Sequence, residues 1–161
     1  MQNSNRDTPL RYRERLTPSL PFFVAITLTG PMVALSFLPV DAALGAALGV
    51  AAIIAITAIT VLLSPVVSIE GTVLRAGRAH IDVRWLGEPA AYTGEDAARV
   101  RGPELDARGW HLIRGGLSGV VVTPNTDPAD PVRSWTISTR TPDRLAAAIA
   151  TAREEAVQSV N

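Results

Sequence analysis

The sequence predicts an α+β membrane protein, in which an N-terminal two-helix transmembrane hairpin precedes a small antiparallel β domain with a C-terminal helix. Three observations lead to this prediction. Two long apolar runs without charged residues lie near the N-terminus, short β-rich segments follow them, and the last segment has the apolar spacing of an amphipathic helix. The 161 residues leave room for the two spans and one soluble domain.

These patterns also predict the domain boundaries. Residues 1–17 are expected to form a cytoplasmic N-terminal arm, residues 18–64 the transmembrane hairpin, and residues 65–158 a soluble β-rich domain that ends in a helix.

Each apolar run is long enough to cross a bilayer. The first is densest over residues 20–38, and about nineteen residues make a helix of ~28 Å, close to the thickness of the hydrocarbon core. The second covers residues 42–63. A signal peptide is one alternative for the first run, but its apolar segment would have only about 7–15 residues. Buried helices of a soluble protein are the other alternative, and they would show a polar stripe that both runs lack.

Two residues predict how the hairpin is shaped. Asp41 lies in the short connection, where its carboxylate can cap the second helix by accepting hydrogen bonds from free N–H groups. Pro31 should kink the first span, because proline removes a backbone donor and clashes with the preceding turn.

The second span carries a face of small residues. Its members are Gly45, Gly49, Ala51 and Ala55, and the two glycines have GxxxG spacing. Small residues let helix backbones approach closely in lipid. This face is expected to pack against the other span of the hairpin or against a second copy of the chain.

Arginines predict the orientation, because cytoplasmic segments beside membrane spans are rich in positive charge. Those before the first span are Arg6, Arg11, Arg13 and Arg15, and those after the second are Arg75, Arg78 and Arg84. The connection between the spans has none. We therefore expect a multi-pass protein of the cell membrane with both termini in the cytoplasm. The segment RYRERL, residues 11–16, could also touch anionic headgroups, but its role in setting topology explains it fully.

The soluble domain is expected to contain about six antiparallel strands. The segments with strand character are residues 66–69, 73–76, 79–85, 110–113, 119–123 and 134–139, with a hairpin turn at 114–116. A helix at about 142–157 follows, with Leu145, Ile149, Ala152 and Ala156 as its apolar face. This element order is typical of a pleckstrin-homology-like domain, and a plain sheet-and-helix domain is nearly as well supported.

Several sequence blocks resemble one known family. They are RYRERLTPSL (11–20), SPVV (64–67), RAGRAHIDV (75–83), RGPELDARGW (101–110), DPADP (127–131) and WTISTRTPDRLAAAI (135–149). Nearly end to end, the chain resembles the actinobacterial membrane family of domain of unknown function 3093. The resemblance implies two spans and a small cytoplasmic domain, and it brings no known activity or catalytic residue.

The residues give no indication of catalysis. There is no cysteine, and His80 and His111 lack the spacing of a metal site. No GxSxG or Walker motif is present. We therefore expect no enzyme, no catalytic or metal-binding residues and no cofactor. The net formal charge of zero also argues against nucleic acid as a partner.

One polar segment is a candidate binding loop. It contains Arg99, Arg101, Glu104, Asp106 and Arg108. Arginines in a loop can hold a phosphate or an acidic partner segment. The alternative, a solvated loop whose charges pair with each other, is the more common situation.

The function expected from these observations is a membrane-anchored, non-enzymatic interaction module or an accessory subunit of a membrane or envelope complex. Its expected partners are membrane lipid and a membrane or cytoplasmic protein of unknown identity, with a second copy of the chain, bound through the second span, as a further candidate. One alternative is a domain that senses anionic lipid headgroups, and another is a small oligomeric transport-associated subunit.

Overall fold

The computed structural model describes residues 10–158 of the chain. It contains two compact units. The helical unit is Thr17–Ser64, and the β-rich unit combines Met1–Leu16 with Pro65–Asn161. Of the predicted N-terminal arm, residues 1–9, including Arg6, lie outside the described residues.

The helical unit contains α1 (Leu20–Thr27), α2 (Thr29–Phe37) and α3 (Ala42–Leu62). The break between α1 and α2 falls one turn before Pro31, where the proline ring would clash with the carbonyl of Thr27. The span Leu20–Phe37 has a mean hydropathy of 1.8, and Ala42–Leu62 has 2.4. By length and composition, both are apolar enough to cross a membrane.

The helices pack where side chains are smallest. A Cβ atom on Gly45 would lie 2.6 Å from the carbonyl oxygen of Ala34, and one on Gly49 would lie 2.6 Å from that of Gly30. Both glycines therefore contact α2 within the hairpin. Ala51 and Ala55 are exposed, so the proposed contact with a second copy would have to use their side of α3.

Asp41 is the N-cap of α3. Its carboxylate accepts a hydrogen bond of 2.8 Å from the backbone N–H of Leu44, and its own backbone is extended. The side chain thus satisfies one of the N–H groups that the start of a helix leaves without a partner.

The first sheet of the β-rich unit combines one strand from before the helical unit with three strands from after it. Its strands are β1 (Leu10–Arg15), β2 (Val66–Glu70), β3 (Val73–Ala76) and β4 (Ala79–Asp82), all antiparallel and in that order. Strand β1 was not predicted, because residues 10–15 were interpreted as part of a charged arm. Its ladder continues to Leu16, which is fully buried and donates a 2.9 Å hydrogen bond to the carbonyl of Pro65.

The second sheet has the order β5-β7-β8-β6. Its strands are β5 (Ala90–Thr93), β6 (Trp110–Leu112), β7 (Gly119–Pro124) and β8 (Ser134–Thr139). The predicted hairpin between residues 110–113 and 119–123 is wrong, because β8 lies between β6 and β7 and pairs with β6 in parallel. Strand β8 is almost wholly buried, so its backbone needs a neighbour on both sides.

The predicted strand at residues 79–85 is too long. Strand β4 ends at Asp82, and Val83–Trp85 forms a short 3₁₀ helix. The Asp82 carboxylate accepts a 3.0 Å hydrogen bond from the N–H of Arg84, a local bond that competes with the strand ladder. Trp85 consequently lies partly exposed instead of on the apolar strand face.

Helix α5 (Pro142–Gln158) closes the β-rich unit, after the short helix α4 (Gly94–Val100). The predicted apolar face of α5 is confirmed, since Leu145, Ile149, Ala152 and Ala156 are all buried. They join side chains from both sheets in one core, which includes Leu16, Val67, Ile69, Leu74, Val121 and Ile137. Two apolar helices and two largely antiparallel sheets confirm the predicted α+β class.

Replacing Gly49 with leucine should destabilise the helical unit, because its Cβ would meet the backbone oxygen of Gly30, which cannot rotate away. Overpacking of this kind costs about 1–3 kcal/mol. The matched control is Ala51→Leu, on the exposed side of α3. Thermal loss of helicity, followed by circular dichroism in mild detergent, should occur at lower temperature for G49L than for A51L. Equal midpoints would contradict the packing described here.

Candidate functional site

The charged side chains of the predicted binding loop form ion pairs and hydrogen bonds within the loop and with neighbouring segments. Arg99 forms ion pairs with Asp96 in α4 and, at 3.7 Å, with Glu104. The guanidinium of Arg101 donates to the backbone carbonyl of Leu117. These two arginines therefore use donors on contacts within the domain.

The remaining charged residues of the loop, Asp106 and Arg108, form a local turn. The Asp106 carboxylate accepts hydrogen bonds from the N–H of Arg108 at 2.9 Å and from the hydroxyl of Ser134 at 3.3 Å. The N–H of Arg108 is the main reason that the pKa of Asp106 lies below its usual value. A phosphate-binding role for this loop stays a prediction.

The two histidines lie in different surroundings. His80 is exposed on β4, whereas Nε2 of His111 lies 2.8 Å from the backbone carbonyl of Asp106. Within residues 10–158, no group of three or more His, Asp or Glu side chains is placed to hold a metal ion.

A different set of arginines borders a groove of about 680 Å³ between β1 and the first half of α5. We call it the arginine groove, and it is defined by Arg11, Arg13, Arg140 and Arg144. The other residues that line it are Tyr12, Glu14, Thr141, Ala147 and Ala148. A bulge in β1 between Leu10 and Tyr12 shifts the strand register beside the groove.

Glu14 anchors one wall of the groove to the other. Its carboxylate, only 13% exposed, accepts hydrogen bonds from the hydroxyls of Tyr12 (2.6 Å) and Thr139 and from the backbone N–H of Arg140 (2.9 Å). The Arg140 guanidinium lies 3.6 Å away. The charge of Glu14 is thus compensated inside the domain.

Tyr12 stands at the centre of this network. Its hydroxyl also lies 3.1 Å from that of Thr139 and 3.0 Å from that of Thr141. Burial, and then the hydrogen bond to the Glu14 carboxylate, raise the pKa of Tyr12 above its ordinary value. The phenol therefore stays protonated at neutral pH and acts as a donor that orients Glu14.

Arg11, which also lines the groove, reaches the C-terminal half of α5. Both of its terminal nitrogens donate to the two carboxylate oxygens of Glu155. These hydrogen bonds raise the pKa of Arg11 and hold the pKa of Glu155 below its usual range. The pair joins β1 to α5 in a bidentate arrangement.

Two arginines of the groove remain available to a ligand. Arg13 and Arg144 are exposed, and within residues 10–158 neither forms an ion pair with a carboxylate. Four arginines thus face two carboxylates, Glu14 and Glu155, so that positive charge is in excess. This arrangement can bind an anion.

Sequence reasoning missed the groove, although two signals were present. Residues 11–16 alternate in the manner of a strand, and Arg140 and Arg144 are spaced four apart around the start of a predicted helix. What the sequence did not reveal was that these two segments, about 130 residues apart, are neighbours.

Comparison with known families agrees with the suspected resemblance. A family model described as protein of unknown function (DUF3093) matches residues 11–149, most of the chain. The chain belongs to the DUF3093 family. No curated protein and no solved structure matches it. The DUF3093 match begins in β1 and ends in α5, so all four arginines of the groove lie inside it, whereas Glu155 lies outside.

The pair of Arg11 and Glu155 should make stability depend on pH. Because the pKa of Glu155 is lowered in the folded chain, its stabilising effect is present above the ordinary glutamate pKa of about 4.3 and is lost as pH falls through the lower folded value. Glu155→Gln should therefore lower the melting temperature at pH 7 by about 1–3 °C. The difference from wild type should shrink below about pH 4.

The matched control is Glu154→Gln, at the neighbouring exposed position on α5, which should melt like wild type at both pH values. Differential scanning fluorimetry provides the measurement. A loss in E155Q that is the same at pH 7 and at low pH would contradict an ionic role for Glu155.

Proposed function

We propose that this DUF3093 protein is a two-span integral membrane protein that presents a non-enzymatic interaction module at the cytoplasmic face of the cell membrane. In this role it serves as an accessory subunit of a membrane or envelope complex. The observation that carries the proposal is the pairing of β1 with β2, which joins the chain segments before and after the helical unit in one sheet.

The surface of the helical unit supports a lipid environment. Only 11% of the residues in each candidate span are buried within the structure. The core helix of a soluble protein would be mostly buried, whereas a helix in lipid exposes apolar side chains all round. Large exposed residues here include Leu20, Leu35, Val50, Ile54 and Leu62.

The strand pairing supports an even number of crossings. Leu16, before the hairpin, donates a hydrogen bond to Pro65, after it, which supports placing both ends of the hairpin on the same side of a membrane. Arginines flank both ends, and cytoplasmic segments are the ones enriched in positive charge. The β-rich unit therefore belongs on the cytoplasmic side in this proposal, with Asp41 on the opposite side.

A pleckstrin-homology-like fold for the β-rich unit remains part of the proposal. The strand-rich sequence that ends in a helix packed on both sheets supports it. The parallel pairing of β6 with β8 and the contribution of β1 from before the hairpin are departures from a simple meander.

The chemistry of the arginine groove supports binding as the task of this module. Its lining is made of arginines, small alanines and a hydroxyl network around Glu14. Such a set can hold an acidic group without changing it. The second candidate function is recognition of anionic headgroups. For that function, the groove is a better supported site than the loop at residues 99–108.

Single cysteines test the topology directly, because the natural chain has none. Val40→Cys lies next to Asp41 and is 77% exposed, and Arg78→Cys lies in the exposed turn between β3 and β4. A membrane-impermeant maleimide should label V40C in intact cells and R78C only after permeabilisation. The cysteine-free wild type is the control. Labelling of R78C from outside would contradict the orientation, and extraction of the chain from membranes by carbonate would contradict anchorage.

Photocrosslinking tests the interaction role. A photoreactive residue at Ala147, in the wall of the arginine groove, should give a discrete crosslinked product in native membranes. The same residue at Arg78 should not give that product. Mass spectrometry of the product then identifies a protein or a lipid. Identical patterns from both positions would argue against a specific partner at the groove.

A further inference from the structure

We propose that the arginine groove is a binding site for a phosphate group, held by the guanidinium groups of Arg13 and Arg144 with Arg140 beside them. The chemistry is that of a phosphate ester, whether carried by an anionic lipid headgroup or by a soluble metabolite. The inference rests on the proposed membrane location only for the lipid as source.

The first argument is the convergence of charge from distant parts of the chain. Arg13 comes from β1, Arg140 directly follows β8, and Arg144 lies in the first turn of α5. Like charges brought to one groove repel each other unless an anion lies between them. Guanidinium groups match the geometry of phosphate oxygens, to which they donate two hydrogen bonds at once.

The second argument is that the carboxylates near the groove are already used. Glu14 accepts from Tyr12, Thr139 and the backbone of Arg140, and Glu155 is held by Arg11. Each is neutralised by contacts that also fix the walls of the groove. Arg13 and Arg144 therefore face the groove without an ion pair to Glu14, whose carboxylate lines it but is held by other partners.

The third argument is shape. The groove has the volume of a site for a small ligand. The side chains of Ala147 and Ala148 are small and leave space for that ligand beside α5. Thr141, which precedes the 17-residue helix α5, also lines it, so the positive end of the helix dipole adds to the field of the arginines.

The position along the chain favours the lipid as source. Arg13 precedes Leu20, where α1 begins, by only seven residues. Even a fully extended segment of that length spans no more than about 25 Å. If α1 is embedded in a bilayer, the groove is therefore tethered close to the headgroups of the same membrane.

The test uses the full chain in a neutral detergent. Native mass spectrometry measures the binding of phosphatidylglycerol in one arm and of glycerol 3-phosphate in the other. The groove variant is Arg13→Gln with Arg144→Gln. The matched control is Arg75→Gln with Arg78→Gln, which removes the same charge from exposed positions on β3 and in the turn after it. We expect the apparent affinity of the groove variant to fall about tenfold, and that of the control to stay within about twofold of wild type.

Binding of the lipid alone identifies a headgroup site, and binding of both ligands, or of glycerol 3-phosphate alone, identifies a site for phosphate esters in general. Each outcome supports the proposal if the groove variant loses it. Absence of binding in both arms, or an equal loss in groove variant and control, would overturn it.

A second variant protects the test against misfolding. Arg13→Lys with Arg144→Lys keeps the charge and should keep most of the binding, with a partial loss from the missing bidentate geometry. Complete loss in this folded variant would also count against the site. The cysteine-labelling experiment is independent of this result. If the cysteines are labelled as expected but no phosphate binds, the membrane role is retained and the phosphate site is rejected. If phosphate binds but the labelling contradicts the topology, the groove is a site for a soluble ligand.

Discussion

The pairing of β1 with β2 is the interaction on which the rest of the structure depends. It brings residues from before the helical unit into the sheet of the domain that follows, and it buries Leu16 in the common core. Closing a loop as long as residues 17–64 carries an entropic cost, which grows slowly with loop length and is offset by the ladder and by the buried leucine. The helical unit is therefore an insertion in the β-rich unit, and the N-terminal segment is a structural strand.

The arginine groove is a consequence of that pairing. Strand β1 supplies Arg11 and Arg13, and the opposite wall comes from the start of α5. The network of Tyr12, Glu14 and Thr139 fixes the distance between the walls, and the pair of Arg11 and Glu155 connects them further along the helix. The polar side chains thus fall into two groups. Most of them pair with each other and hold the domain together, whereas Arg13 and Arg144 are exposed and form no ion pair within the described residues.

Much of the fold was predictable from local patterns, and the failures have physical reasons. Apolar runs revealed α1–α3, and helical spacing revealed the buried face of α5, because each of these signals lies within one segment. The signal for β1 was masked by its charges, which suit both a topology signal and an edge strand. The partner of β6 was mispredicted because strand pairing depends on contacts across the chain. The candidate loop at residues 99–108 was rich in arginine, but its ion pairs are mostly local, whereas the groove is assembled from segments that only the fold brings together.

Hydrogen–deuterium exchange of the full chain in detergent tests the central claim, that β1 is part of the β-rich unit. Backbone N–H groups that donate across the β1–β2 ladder exchange only when the strand opens. Because β1 is an edge strand, about every second N–H in residues 10–16 should be protected, with exchange as slow as that of the N–H groups of Val66–Glu70. Complete exchange of residues 10–16 at the earliest time, with β2 still protected, would contradict the account. The N-terminal segment would then be a free arm, and the arginine groove would lose one of its walls.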